Sequence, residues 1–138
     1  MALYKANKKT FKTRRYSEAR NHVLTIFNQI KKRTKRKPYI RSSYFKKQKI
    51  FFDYFWPHLF QKNPRERTKR LKYFEASIEL IKNSKDHPFS KQNPNNQSEI
   101  FHRFEGLTKN KEKFCVQIKE DKRSGKKYFI SCFPLKEK

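Results

Sequence analysis

Residues 99–134, EIFHRFEGLTKNKEKFCVQIKEDKRSGKKYFISCFP, decide how the chain folds. Three stretches rich in aromatic and β-branched residues, about 99–108, 113–120 and 126–133, are separated by turn residues, Asn110-Lys111 and then Ser124-Gly125. That pattern predicts an antiparallel meander. A two-residue turn at Asn110-Lys111 would pair Thr108 with Lys113, Phe104 with Gln117 and His102 with Lys119. A loop of Arg123, Ser124 and Gly125, its glycine left-handed, would pair Ile118 with Ile130 and Gln117 with Ser131. These registers put Leu107, Phe114, Val116, Ile118, Ile130 and Cys132 on a core face. His102, Phe104, Gln117, Lys119 and Ser131 then form a polar working face, and Arg103 and Glu105 fall awkwardly on the core side.

Upstream, the period is helical. Ser17 can cap a helix over about 18–33 whose stripe is Ala19, Val23, Ile26 and Ile30, with Phe27 beside it. A second helix is expected from Ser42 or Ser43 to Phe55, carrying Tyr44, Phe51, Phe52 and Phe55, with Pro57 ending or kinking it. Asn63-Pro64-Arg65-Glu66 is a helix start, with a cap residue, a proline in the first turn and Glu66 three residues on. The stripe Leu71, Phe74, Ile78 and Ile81 continues it to Asn83-Ser84, and residues 85–98 read as a loop. Helices followed by a meander make an α+β fold, with N-terminal helices packed on one face of a small antiparallel sheet. The expected organisation is a basic arm at 1–15, a basic helix and linker at 16–41 and an α+β domain at 42–138.

Charge points to a partner. The chain has 138 residues and a formal charge of +25, and residues 1–49 hold 17 basic residues against one acidic. Such a density attracts a polyanion, with binding that weakens as salt rises. Arg14, Arg15, Lys31, Lys32, Arg33, Lys35, Arg36 and Lys37 are the expected nucleic-acid contacts. Two glycines preclude a Gly-rich phosphate loop, and two cysteines preclude a disulfide framework or a four-thiolate zinc site, so no metal or cofactor is expected. No run of about 18 apolar residues is present to cross a membrane and no secretion signal is apparent, so a cytoplasmic location is expected.

The polar face suggests a chemistry. RNA cleavage by attack of its own 2′-hydroxyl needs no metal, only a base, an acid and cations around the phosphorus. His102 can exchange protons near neutrality. Lys119 and Arg103 can hold phosphate, Gln117, Ser131 and Thr108 can donate hydrogen bonds, and Tyr128 or Phe104 can stack on a base.

The segments Ile100–Thr108, Phe114–Asp121 and Gly125–Pro134 carry a resemblance. With the helices before them, residues 42–134 resemble the small metal-independent nucleases of the barnase–EndoU–colicin–RelE superfamily, in its phage and mobile-element branch. The resemblance implies an RNase/RelE-like fold and an endoribonuclease, a bacterial or mobile-element toxin acting on tRNA, mRNA or ribosomal RNA. It also implies an acidic inhibitor or antitoxin as partner. RelE-like members lean on Lys, Arg and Tyr, for which Lys119, Arg103 and Tyr128 are the occupants here. The alternative reading is a non-enzymatic RNA- or DNA-binding protein, ribosome-associated or regulatory, that works through the basic N-terminal third.

Overall fold

The computed structural model describes residues 3–135; residues 1–2 and 136–138, the outer ends of the expected arm and domain, lie outside the described residues. The chain runs β1 (Tyr4–Lys5), α1 (Tyr16–Lys32), β2 (Tyr39–Ser42), β3 (Gln48–Phe51), α2 (Phe55–Phe60), α3 (Pro64–Leu71), α4 (Phe74–Asn83), β4 (Phe89–Gln92), β5 (Glu99–Leu107), β6 (Lys113–Asp121) and β7 (Lys127–Pro134). The fold is α+β as expected, but the sheet is mixed and strands precede and interrupt the helices. Its order is β1-β5-β6-β7-β3-β2, with β4 also on β5; β1 runs parallel to β5 and β3 parallel to β7. Among the described residues, no helix is long and apolar enough to cross a membrane.

The arm is docked on the body. Tyr4 and Lys5 pair with Gly106 and Leu107. The Glu79 carboxylate accepts hydrogen bonds from the Asn7 and Lys8 amides and the Tyr4 hydroxyl. Helix α1 starts at Tyr16 rather than after a Ser17 cap, and it buries Ala19, Val23, Phe27 and Ile30, leaving Ile26 only partly covered.

The expected helix over 42–55 is instead a hairpin. Lys46 and Lys47 both take a positive φ, 55° and 66°, which turns the chain between β2 and β3. Ile40 and Ile50 then face the core while Tyr39, Arg41, Lys49 and Phe51 face away. The expected boundary between residues 41 and 42 therefore cuts through β2. Pro57 falls in the first turn of α2, where its missing N–H leaves no intrahelical bond unmade.

The helix start at Asn63 is as read: its Oδ1 accepts the Glu66 amide at 2.9 Å. The helix then breaks at Lys72-Tyr73 rather than running to Ser84. The break turns the Tyr73 ring onto Phe114 and its hydroxyl onto Glu112. One core joins α1, α2, α3 and α4 to the sheet through Phe55, Leu71, Phe74, Leu80, Val116, Ile118 and Phe129. Gly106 lets α4 close on β5, since a Cβ there would lie 2.8 Å from Leu80 Cδ1 and 2.9 Å from Phe114 Cζ.

The three C-terminal strands fall where expected, but the first register is displaced by one residue. Leu107 pairs with Lys113, Phe104 with Val116 and His102 with Ile118. Between them the loop 108–112 is closed by Thr108, whose Oγ1 accepts the Glu112 amide and donates to Asn110 Oδ1. A one-residue displacement exchanges the faces of a strand. The second register holds at Gln117–Ser131 and then slips, so that Ile118 meets Phe129 and Ile130 is the extra residue of a bulge.

Candidate nucleic-acid interface

The slip separates His102 from Lys119, the expected proton exchanger from an expected phosphate holder. His102 shares its face with Ile118 and Val116, whereas Lys119 is opposite Phe101 on the other face. The expected His102–Lys119 pair is corrected accordingly. His102 is 7% exposed, lies 5.0 Å from the Phe45 ring, and bridges Ser90 and Glu120: Nδ1 is 2.7 Å from Ser90 Oγ and Nε2 is 2.8 Å from Glu120 Oε1. The other Glu120 oxygen is 3.9 Å from Lys127 Nζ, which donates to Gln48 at 2.6 Å. Both imidazole nitrogens are thus engaged by the protein. Thr108 is also withdrawn, buried in the loop it closes.

The opposite face of these strands, which α2 borders, keeps the rest of the set. Register puts Arg103, Gln117, Lys119, Tyr128 and Ser131 together on it, with Phe89, Lys91 and Phe101 toward the β4 edge and Phe51, Lys49, Tyr39 and Arg41 toward the β2 edge. Arg103, which the expected register forced inward, is exposed here. Ser131 is buried on this side, beside His58 and Arg70 at a small cavity.

Aromatic rings and cations interleave across the strands. Tyr39, Phe51, Tyr128 and Tyr54 form a chain of ring contacts, with centroids 6.0, 6.2 and 4.9 Å apart in that order. Lys49 Nζ sits 4.7 Å from the Tyr39 centroid and Lys119 Nζ 3.9 Å from that of Tyr54. Phe89, at 61% exposure, is the most exposed large apolar side chain among the described residues. Such a surface offers rings on which bases stack and cations for the phosphates between them.

Strand β3 pairs with β7 only at Lys127 and Tyr128; beyond them α2 packs against β7 and walls the open face. A groove of about 320 Å³ results, lined by Tyr54, Pro57, His58, Gln61, Glu99, Phe101, Gln117, Lys119 and Ile130. It meets a second hollow of about 320 Å³ that shares Phe101 and Gln117 and adds Phe89, Lys91, Gln92, Pro94 and Arg103. Burial, then the charges of Lys62 and Arg70, hold the His58 pKa below its ordinary 6.5, so this imidazole is neutral at pH 7. Lys119 also pairs with Glu99 at 3.3 Å.

The expected basic contacts divide four ways. Arg33, Lys35, Arg36 and Lys37 join Tyr39, Lys49, Phe51 and Lys126 around a hollow of about 710 Å³ that extends the aromatic row; Lys37 is tied to Asp53 at 2.9 Å. Lys31 and Lys32 lie in the last turn of α1, and Arg15 pairs with Glu18. Arg14 belongs to a different cavity on the helix side. Among the described residues, no group of three or more His, Cys, Asp or Glu side chains is placed to hold a metal ion.

Tyr39, Arg41, Lys49, Phe51, Tyr54, His58, Phe89 and Phe101 are the members that sequence reasoning missed. The alternation Tyr39-x-Arg41, Lys49-x-Phe51 and Phe101-x-Arg103, a ring and a cation two apart, was the available signal. Compared with known proteins, the chain matches no family model, no curated protein and no solved structure.

Proposed function

We propose that the chain is a metal-independent endoribonuclease that seats single-stranded RNA on the outer face of its sheet. The observation that carries this reading is the row of rings and cations from Tyr39 to Tyr54, with Phe101 and a neutral imidazole, His58, lining the same groove as Tyr54, Lys119 and Gln117. The resemblance of residues 42–134 to small metal-independent nucleases supports the same reaction class.

The step is an internal transesterification. The 2′-hydroxyl loses its proton to His58 and attacks the adjacent phosphorus. Lys119 and Arg103 balance the charge that grows on the phosphoryl oxygens. The P–O5′ bond breaks and the leaving oxygen takes a proton from the Lys119 ammonium; the site resets when the His58 imidazolium gives its proton to water and the Lys119 amine takes one back. The products are a 2′,3′-cyclic phosphate and a 5′-hydroxyl. The base is His58 and not His102, because both nitrogens of His102 are held by Ser90 and Glu120 on the other side of the sheet.

The test is incubation of purified protein with tRNA, mRNA and translating ribosomes in EDTA, with the RNA ends analysed. New 2′,3′-cyclic phosphate ends, lost in His58→Ala, are the expected result. Strands that bind but stay intact would favour the second reading, a non-cleaving RNA-binding protein, which the aromatic and cationic face supports without any catalyst. Absence of binding to RNA would sink both.

A further inference from the structure

On the helix side, the segment between β1 and α1 and the first turns of α3 border an open cavity of about 590 Å³. It is lined by Thr13, Arg14, Tyr16, Arg65, Lys69 and Lys72, with Pro64 and Thr68 completing the wall. The walls are fixed. The Phe11 amide donates to the Lys72 carbonyl at 3.0 Å, the Thr13 hydroxyl donates to Glu18, and Thr68 Oγ1 donates to the Pro64 carbonyl. Asn63 caps the helix that carries Arg65 and Lys69. The neighbouring carboxylates are already engaged: Glu18, next to the wall, by Thr13 and Arg15, and Glu66 by Arg70.

Four cations therefore line one cavity with no acidic residue in its wall, and among the described residues none of the four is ion-paired. A fold gains nothing from unpaired like charges gathered at a concave surface, where they raise each other's energy and concentrate anions. Two of them are arginines, whose planar forks match phosphate oxygens two at a time. Tyr16 adds a ring at the same opening, and the volume is too large for a single bare phosphate.

We propose that this cavity is a second phosphate-binding site, separate from the sheet face, for a ligand with consecutive phosphates. The source is either a further stretch of RNA backbone passing round the helix layer or a free nucleotide. The inference stands on this cavity alone and does not need the sheet-face reading.

The variant Arg14→Gln/Arg65→Gln/Lys69→Gln removes three exposed charges; melting checks that it folds. Fluorescence anisotropy compares it with wild type on a short oligonucleotide of about six nucleotides and on a long structured RNA. Calorimetric titration with ATP and with pyrophosphate forms the other arm. If RNA backbone is the source, the variant binds the short strand as wild type does, while its salt slope on the long RNA falls by about 2, about 0.7 for each charge lost. If a nucleotide is the source, wild type takes up ATP and pyrophosphate, the variant binds them at least tenfold more weakly, and long RNA is unaffected. A variant indistinguishable from wild type in both arms overturns the proposal. Failure of wild type to bind the short oligonucleotide would instead sink the sheet-face reading and leave this one to be judged by the second arm. Arg65→Lys sharpens the outcome, because it keeps the charge and removes the paired donors.

Discussion

The ammonium of Lys119 lies 3.9 Å from the centre of the Tyr54 ring and 3.3 Å from the Glu99 carboxylate. The ring holds the cation over the groove floor, and the carboxylate keeps it from being an unopposed charge. A phosphate arriving there meets a placed cation, not a mobile one. Tyr54→Ala removes the ring that orients Lys119 and one stacking partner. RNA affinity is expected to fall by about 5- to 150-fold, the equivalent of about 1–3 kcal/mol for one stacked base. Tyr54→Phe keeps the ring and should bind close to wild type. Anisotropy titration on a short RNA checks both; equal binding by the alanine variant would remove Tyr54 from the interface.

His58 supplies the pH dependence. Its pKa is lowered, first by burial and then by Lys62 and Arg70, so the neutral, proton-accepting form predominates at pH 7 and is lost as pH falls through the lowered value. Cleavage should be flat around neutrality, with an acid limb whose midpoint lies below 6.5. Lys62→Gln removes one of the charges that depress the value, so the limb should move to higher pH with little change in the plateau. An acid limb that stays in place in Lys62→Gln, or an unchanged rate in His58→Ala with RNA still bound, would take His58 out of the reaction.

What could be read from sequence follows the range of the interactions involved. Asn63-Pro64-Arg65-Glu66 was legible because a cap is made within four residues, and the three C-terminal strands because each carries its own alternation. The hairpin over 39–51 was not. Tyr44, Phe51, Phe52 and Phe55 suit a helix as well as a strand, and the turn rests on Lys46 and Lys47 at positive φ, with no glycine or asparagine to announce it. Strand β4, exposed throughout, has no apolar pattern and is defined only by its pairing to β5. The displaced register has one local cause: Thr108 closes its loop through a side-chain bond, and Lys111 takes φ 65°, so the connection is longer than a two-residue turn. One residue of slip carried His102 from the working face to the core. Arg103 and Glu105 were the clue, since two charged residues on a core face are less economical than a shifted register.

His102 should behave as a structural residue. It joins Ser90 on the edge strand to Glu120, and Glu120 faces the buried Lys127. His102→Ala leaves Glu120 without its hydrogen-bond donor, at a cost of about 1–3 kcal/mol. A thermal melt should drop by about 3–4 °C for each kcal/mol lost at this chain length. Cleavage per folded molecule should stay as in wild type. Loss of cleavage in a His102→Ala protein that melts normally would restore the imidazole to the active centre.

The basic hollow at the β2 edge should act on binding and not on chemistry. Lys35, Arg36 and Lys49 line it beside Tyr39 and Phe51, outside the groove that holds His58. Replacing all three by Gln should reduce the salt slope of RNA binding by about 2 while leaving single-turnover cleavage at saturating protein unchanged. An unchanged slope would mean that RNA does not pass along this end of the sheet.

Gly106 tests the packing that positions the whole face. It sits on β5 opposite Phe114, under Leu80 of α4, and pairs with Tyr4 of the docked arm. A methyl at this position would lie 2.8 Å from Leu80 Cδ1 and 2.9 Å from Phe114 Cζ, both in fully buried side chains that have little room to yield. Overpacking of this kind costs about 1–3 kcal/mol. Gly106→Ala should therefore lower the melting temperature by several degrees. Because helix and sheet are pushed apart at the point where β1 pairs, the arm should also loosen, and the Tyr4 and Lys5 amides should exchange hydrogen faster than the rest of the sheet. Gly125→Ala is the control with a different cause. No atom lies within 4 Å of its added Cβ, so any loss there comes from the backbone alone, at φ 74°. Equal exchange rates for the arm in Gly106→Ala and wild type would show that α4 can shift without disturbing β5, and would separate the docking of the arm from the core.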